Sequence, residues 1–322
     1  MISLRCALSS SLICLSLFGC GPEDDKEKKG AESAGTSSQQ SKTTVQVDAG
    51  KPVPTAGETL KEFEQAEKTL NTADDLSVRV NRVALAYAAE GHFGDAEKLL
   101  QRLVALLEKP QLASEAIQLA ASMNNLGLLY MQQKKYGKAE PLFQKSLVLQ
   151  QRILGQSDPG FAGSISNLAT LYYEQARYKD ALPLFSRAMA IYKLRPVHNA
   201  LAVAKSVNNV AGCYSNLKNY PEAEKYFKEA LAIEEKLPAN AAGLAAALNN
   251  LGYVYVVQNK FDKAEPLLKR ALQIAEKIYD DKAMELISFL DNNAYLLRKT
   301  NRAAEADKLK ARTKQILVAN DR

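Results

Sequence analysis

The 322-residue chain has no tryptophan, two histidines and four cysteines, and aromatic residues account for only 7% of it. Each shortage removes a class of chemistry. His92 and His198 stand far apart, so a histidine metal cluster or a Cys/His nucleophile pair has almost no material. HExxH, CxxC and GxSxG are absent, as is any glycine-rich loop of phosphate-binding spacing. Carboxylates are plentiful, but they recur in segments such as KAEPL and EAEKY among lysines and arginines. There they read as solvated faces, and no glycosidase-type pair stands out. No catalytic residue, metal ligand set or cofactor is expected. Lysine and arginine outnumber aspartate and glutamate by 42 to 36, a net charge of +6. That excess is small and interspersed, whereas a nucleic-acid groove needs a basic stripe, so no nucleic-acid partner is expected.

What the chain does have is repetition. Residues 124–130 read NNLGLLY, and they return as SNLATLY at 166–172, NNVAGCY at 208–214 and NNLGYVY at 249–255, a period of 41 or 42 residues. Fourteen residues after the second Asn of each unit comes an alanine inside another apolar pattern: Ala139, Ala181, Ala223 and Ala264. The frame extends upstream, placing Ala96 on Ala139, and downstream, placing Asn292 on Asn250 and Ala306 on Ala264. Six units follow, near residues 77–110, 120–158, 162–196, 204–238, 245–280 and 287–318. Leu126, Leu129 and Tyr130 share one helical face; after a polar break, Tyr136, Ala139, Phe143 and Leu147 share another. Each unit therefore reads as two antiparallel helices. Gly127 and Gly252 recur where other units carry alanine, opposite the alanine of the second helix. An interior glycine costs about 0.5–1 kcal/mol relative to alanine, so the position demands close approach. Pro141, Pro183 and Pro266 fall inside second helices and are expected to bend them.

This order of apolar, small and Tyr positions, followed by Ala, Phe and Ala, resembles the tetratricopeptide repeat. The 42-residue period, the NNLG start, the KAEPL centre and the ILGQSDPGFAGS linker are similar to its kinesin light chain subtype, which also occurs in bacterial proteins. The resemblance implies an all-α, right-handed α-solenoid over residues 76–322, in which hairpins stack because a lone one cannot bury its apolar stripe. Cys213 takes the place of Leu129, Leu171 and Val254 and reads as a small core residue. Lys310 and Thr313 replace apolar or small residues in the last unit, as suits a helix with one wet face. Leu60, Phe63, Ala66 and Leu70 make a stripe within residues 58–75 that reads as an N-terminal capping helix.

Residues 1–19 carry one arginine and an apolar run too short to span a bilayer, which reads as a cleaved export signal. Leu17-Phe18-Gly19-Cys20 resembles a bacterial lipobox, implying lipidation of Cys20. Removal of the signal leaves Cys213 as the sole free thiol and no intramolecular disulfide. Residues 20–57 are rich in Ser, Thr, Gln, Lys, Glu, Gly and Pro and read as a disordered tether, with a typical reach of about 30–35 Å. The expected location is the cell envelope, lipid-anchored. Gly21, where an Asp would retain the protein, favours the outer membrane facing the periplasm if the source is Gram-negative. A secreted or periplasmic protein is the alternative.

Function then narrows to binding. Asparagine is a poor helix-interior residue because its side chain competes for backbone hydrogen bonds, yet Asn125, Asn167, Asn209, Asn250 and Asn292 recur at one place. By resemblance, the first helices line a concave groove, where these amides could hold a peptide main chain. Tyr253 would lie one turn along on the same surface, and Tyr173, Lys205 and Arg298 would then add specificity. Equally, the asparagines could join adjacent helices and stabilise the stack. The expected function is a non-enzymatic, membrane-tethered scaffold for a protein or peptide partner. Alternatives are an outer-membrane assembly or secretion-system accessory lipoprotein, or a self-associating structural repeat protein.

Overall fold

The computed structural model describes residues 73–320, apart from 109, 111–112, 195–198 and 238–239. The expected signal, Cys20, tether and most of the N-terminal cap lie outside the described residues. Within them are twelve helices and no strand: α1 (Ala73–Ala89), α2 (Phe93–Leu106), α3 (Ala113–Gln132), α4 (Tyr136–Leu154), α5 (Pro159–Glu174), α6 (Tyr178–Lys193), α7 (Ala200–Asn216), α8 (Tyr220–Glu234), α9 (Ala241–Val257), α10 (Phe261–Ile278), α11 (Leu286–Lys299) and α12 (Ala303–Asn320). Consecutive pairs form six hairpins, and the hairpins stack in chain order into an α-solenoid.

One turn design closes every hairpin. The residue two places before each second helix has positive φ: Gly91, Lys134, Ala176, Lys218, Asn259 and Asn301. The following N–H reaches back to the carbonyl five residues earlier, as in Lys135 to Tyr130 and Arg177 to Tyr172, both at 2.8 Å. The αL residue also bonds back three residues, Lys134 to Met131 at 2.9 Å. These paired bonds are a Schellman closure, which satisfies the last carbonyls of the first helix and turns the chain sharply. Non-glycine residues hold the αL conformation in five of the six turns, so the closure outweighs the local steric cost.

Small residues set how near the two helices of a hairpin come. Ala96, Ala139, Ala181, Ala223, Ala264 and Ala306 are fully buried. A Cβ added to Gly127 would sit 2.8 Å from the Phe143 ring, and one on Gly252 would sit 2.7 Å from Leu268. Those contacts supply the steric demand expected from the recurrent glycines. Phe143, Phe185, Phe227 and Leu268 recur one repeat apart and are almost completely buried, the first two in one continuous apolar cluster and the last two in another.

The two helices of a hairpin occupy different layers. In α5, eleven of 16 residues are buried, against four of 16 in α6. First helices are thus enclosed between their own partners and the neighbouring hairpins, while second helices form the wet outer layer. α4, α6 and α10 continue through Pro141, Pro183 and Pro266 as unbroken helices.

The last hairpin corrects one expectation. Thr313 is buried rather than wet: its hydroxyl donates to Asp291 Oδ1 at 3.0 Å, and Lys310 Nζ meets the same oxygen at 2.8 Å. Lys310 stands where other hairpins place phenylalanine or leucine, and Asp291 where they place the first Asn. The charged group is kept because its counter-ion changes with it.

Candidate functional site

The asparagine rows resolve into bridges. Asn125 Nδ2 donates to Asn81 Oδ1 at 2.9 Å, Asn167 Nδ2 to Asn124 Oδ1 at 2.9 Å, and Asn250 Nδ2 to Asn208 Oδ1 at 3.0 Å. In each bond the second Asn of one hairpin reaches the first Asn of the hairpin before it. Asn167 and Asn250 are buried, and Asn125 is half-buried. Of the two roles open to the row, groove donor and link between helices, each of these three fills the second with one amide hydrogen. Leaving such a group unpaired when buried costs about 1–3 kcal/mol, so the rung explains why asparagine persists in a helix interior.

Two members of the row differ. Opposite Asn209 stands Ser166, whose hydroxyl turns back to the Ala162 carbonyl at 3.0 Å. Opposite Asn292 stands Asn249, which is buried with neither side-chain polar atom bonded. Asn209 and Asn292 are half-buried, and their amides have no partner among the described residues.

The specificity candidates scatter. Tyr173 belongs to the core: it is 4% exposed, its ring lies edge-on to Tyr178 and Phe185, and its hydroxyl accepts from Asn216 Nδ2 at 2.7 Å. Burial raises its phenol far above the ordinary range, so it is neither a groove wall nor an acid. Arg298 is exposed but engaged with Asp307 across its own hairpin at 2.9 Å. Lys205 is half-buried; burial lowers its ammonium pKa, partly opposed by Glu234. Tyr253 is half-buried beside Tyr295, with ring centroids 6.2 Å apart, and burial raises its phenol. The structure therefore leaves Asn209, Lys205, Tyr253 and Asn292, on α7, α9 and α11, as accessible inner-layer groups. Cys213 is fully buried, and burial pushes its thiol up to about 12, which fits a core residue and suppresses thiolate chemistry.

A second set of bridges was concealed among carboxylates expected to be solvated. Tyr130 donates to Glu97 at 2.9 Å, and Lys135 reaches the other oxygen of that carboxylate at 3.4 Å. Tyr172 donates to Glu140 at 2.9 Å, joined by Arg177 at 3.4 Å. Lys260 meets Glu224 at 2.8 Å, and Arg302 meets Glu265 at 2.6 Å. Burial alone would raise the Glu224 carboxyl, but hydrogen bonds from Lys228, Lys260 and Gln258 outweigh it and hold the group at about 2. Glu97 behaves alike: burial opposes, while Tyr130, Lys135 and Lys138 lower it. A repeat alignment carries the signal, because the glutamate follows the invariant alanine and the cation precedes the next one by four.

One residue outside both sets is Glu234, buried at the end of α8. Burial raises its carboxyl, against a 2.6 Å bond from Asn240 Nδ2 and the attraction of Lys205. Asn240 simultaneously caps α9 by accepting from Gly243 N. Among the described residues there is no group of metal-ligating side chains and no helix long and apolar enough to cross a membrane.

Comparison with known families agrees with this geometry. A tetratricopeptide repeat model matches residues 118–193 and 201–277, covering hairpins two to five. These hairpins are tetratricopeptide repeats. Among solved structures with the same solenoid, BtubC (BKLC) from P. vanneervenii is 25% identical, with a TM-score of 0.56 over 72% of this chain and 90% of that one. NprR in complex with its cognate peptide NprX is 17% identical, with a TM-score of 0.56 over 82% of this chain and 77% of that one. A Rap protein complexed with competence and sporulation factor is 18% identical, with a TM-score of 0.55 over 82% and 81%. No curated protein matches the chain. Within the tetratricopeptide frame, the Schellman turns close the hairpins and the rungs and glutamate bridges stack them; the accessible uncommitted amides of the asparagine row fall in hairpins four and six.

Proposed function

We propose that the chain is a membrane-tethered, non-enzymatic scaffold that holds an extended peptide segment of a partner protein along its inner helices. One observation carries this reading. In a row where asparagines bridge hairpins, Asn209 and Asn292 keep amides that are half-exposed and uncommitted. A primary amide offers both donor and acceptor, which matches a peptide main chain regardless of sequence. The two residues are two hairpins apart; at about 8–10 Å per packed helix and roughly 3.3 Å per extended residue, they would span five or six residues of ligand. Lys205 and Tyr253 lie on the same helices and would discriminate among side chains. The solved complexes of NprR with a peptide and of Rap with competence and sporulation factor support the use of this fold for such ligands.

The tether belongs to the same proposal. A lipid on Cys20 and the polar segment after it would hold the solenoid near an envelope membrane while leaving it free to turn. Crosslinking in intact cells, followed by mass spectrometry, should identify the partner segment, and anisotropy with that peptide then measures affinity. Asn209→Ala with Asn292→Ala should weaken binding at an unchanged melting temperature. Unaltered affinity in this double variant would sink the groove reading. Cys20→Ala should release the protein from the membrane fraction, and unchanged fractionation would remove the anchor.

A further inference from the structure

We infer that the solenoid has a built-in shear joint between its third and fourth hairpins, a mechanical property that does not depend on what the groove binds. Two recurring ties join neighbouring hairpins elsewhere in the stack. At the junction of hairpins two and three, the inner layer is pinned by Asn167 to Asn124, and the turn edge by Tyr172 and Arg177 to Glu140. The junction of hairpins one and two has both ties, through Asn125 to Asn81 and through Tyr130 and Lys135 to Glu97. Hairpins four and five keep Asn250 to Asn208 and Lys260 to Glu224. Hairpins five and six lack the asparagine rung but keep Arg302 to Glu265.

Hairpins three and four lose both. Ser166 stands in the acceptor place of the rung and bonds within its own helix. Leu182 stands in the glutamate place, and Asn219 in the place of the cation, where it accepts from Glu222 N at the start of α8. The tyrosine that donates to the previous hairpin at Tyr130 and Tyr172 is here Tyr214, which stacks on Tyr226 of its own hairpin at 5.6 Å with the rings almost parallel. Apolar packing meanwhile continues across the junction: Val210 and Cys213 of α7 are fully buried with Tyr173 and Phe185 of the third hairpin. The Asn216 to Tyr173 bond and an outer-layer pair, Lys193 to Glu229 at 2.6 Å, also cross it.

Hydrogen bonds fix register because they weaken steeply with angle and distance; apolar contact is non-directional and tolerates sliding. A junction that keeps its apolar contact and drops both repeated directional ties is built for small shear between packed helices. Movement there would change the distance from the first three hairpins to Asn209 without disturbing either half.

Matched spin-label pairs test this in the full-length protein. Val148, Ala190 and Ala232 occupy equivalent exposed places on the outer helices of hairpins two, three and four. Val148→Cys with Ala190→Cys spans the pinned junction, and Ala190→Cys with Ala232→Cys spans the proposed joint. Pulsed electron resonance should give a broader distance distribution for the second pair than for the first. Installing the missing ties with Ser166→Asn, Leu182→Glu and Asn219→Lys should narrow the second distribution to match the first. If that triple variant fails to fold, Glu140→Gln with Tyr172→Phe, which loosens the pinned junction, should broaden the first pair instead. Equal widths for the two pairs in the unmodified stack would overturn the joint, as would widths that no change in the ties affects.

Discussion

Hairpins two and three meet much as hairpins three and four do in apolar terms, and quite differently in polar terms. Phe143 and Phe185 are equally buried on the two sides, yet only the first junction has an asparagine rung and a glutamate clasp. The contrast separates two tasks that repeat proteins usually perform together. Apolar burial makes neighbouring hairpins adhere, and the polar ties determine the angle and register at which they do so. Stability in such a stack is a sum of unit and interface contributions, so the two tasks can be tested by independent substitutions.

The largest effects should be blind to the difference. Phe143→Ala and Phe185→Ala are each expected to cost about 3–5 kcal/mol through lost burial and a cavity, read by urea unfolding. Similar losses would show that both junctions share one apolar design; a much smaller loss for Phe185 would mean that the third hairpin is packed more loosely throughout. Polar substitutions should then divide the molecule. Asn167→Ala is expected to cost about 1–3 kcal/mol because Asn124, itself buried, is left without its donor. Asn209→Ala should stay within about 0.5 kcal/mol, as surface changes without partners do. Equal losses at the two sites would mean that the rung is no stabilising device.

The clasps add a pH dependence at a position where the joint carries Leu182. Glu224 titrates at about 2 in the folded chain, below an ordinary glutamate near 4.3. The unfolded chain therefore binds the proton first as pH falls. Stability from this group is complete above about pH 4.3 and drains away as pH drops through about 2. Glu224→Gln should flatten that part of the stability curve at the junction of hairpins four and five. Leu182 offers no corresponding titration, so Leu182→Gln should leave the acid limb unchanged.

Most of the stack was legible because each repeat repeats its chemistry. The small residues, the core phenylalanines and the hairpin count follow from periodicity, and Cys213 follows from its register with Leu129 and Leu171. Periodicity was less informative for the site. A recurrent Asn can face a ligand or a neighbour, and only the distance from Asn167 to Asn124 decides; the same sequence letter means a rung at Asn167 and an open amide at Asn209. Tyr173 turns inward against the groove expectation because its ring packs on Tyr178 and Phe185 and its hydroxyl is held by Asn216, partners that a repeat pattern does not reveal. The glutamate clasps were misread as solvated because their partners lie 36 to 38 positions away on another hairpin. Departures from the repeat, such as Ser166, Leu182 and Asn219, were visible as letters, but they gained meaning once the bonds they interrupt were known.

The last comparison concerns the turns on either side of the joint. Ala176 closes the third hairpin at φ 59°, and Lys218 closes the fourth at φ 62°. Left-handed backbone costs a residue with a Cβ roughly 1–2 kcal/mol, and glycine avoids this while losing more entropy on folding. The two effects oppose each other, so Ala176→Gly should stabilise by no more than about 1 kcal/mol, seen as a small rise in melting temperature. Lys218→Gly should behave in the same way, because the Schellman bonds that hold both residues are identical: Ala176 N to Tyr173 O at 2.9 Å and Lys218 N to Ser215 O at 3.0 Å. Neither change should alter the label distances across the joint. A narrowing on either substitution would locate the freedom within the hairpin turns and not between hairpins three and four.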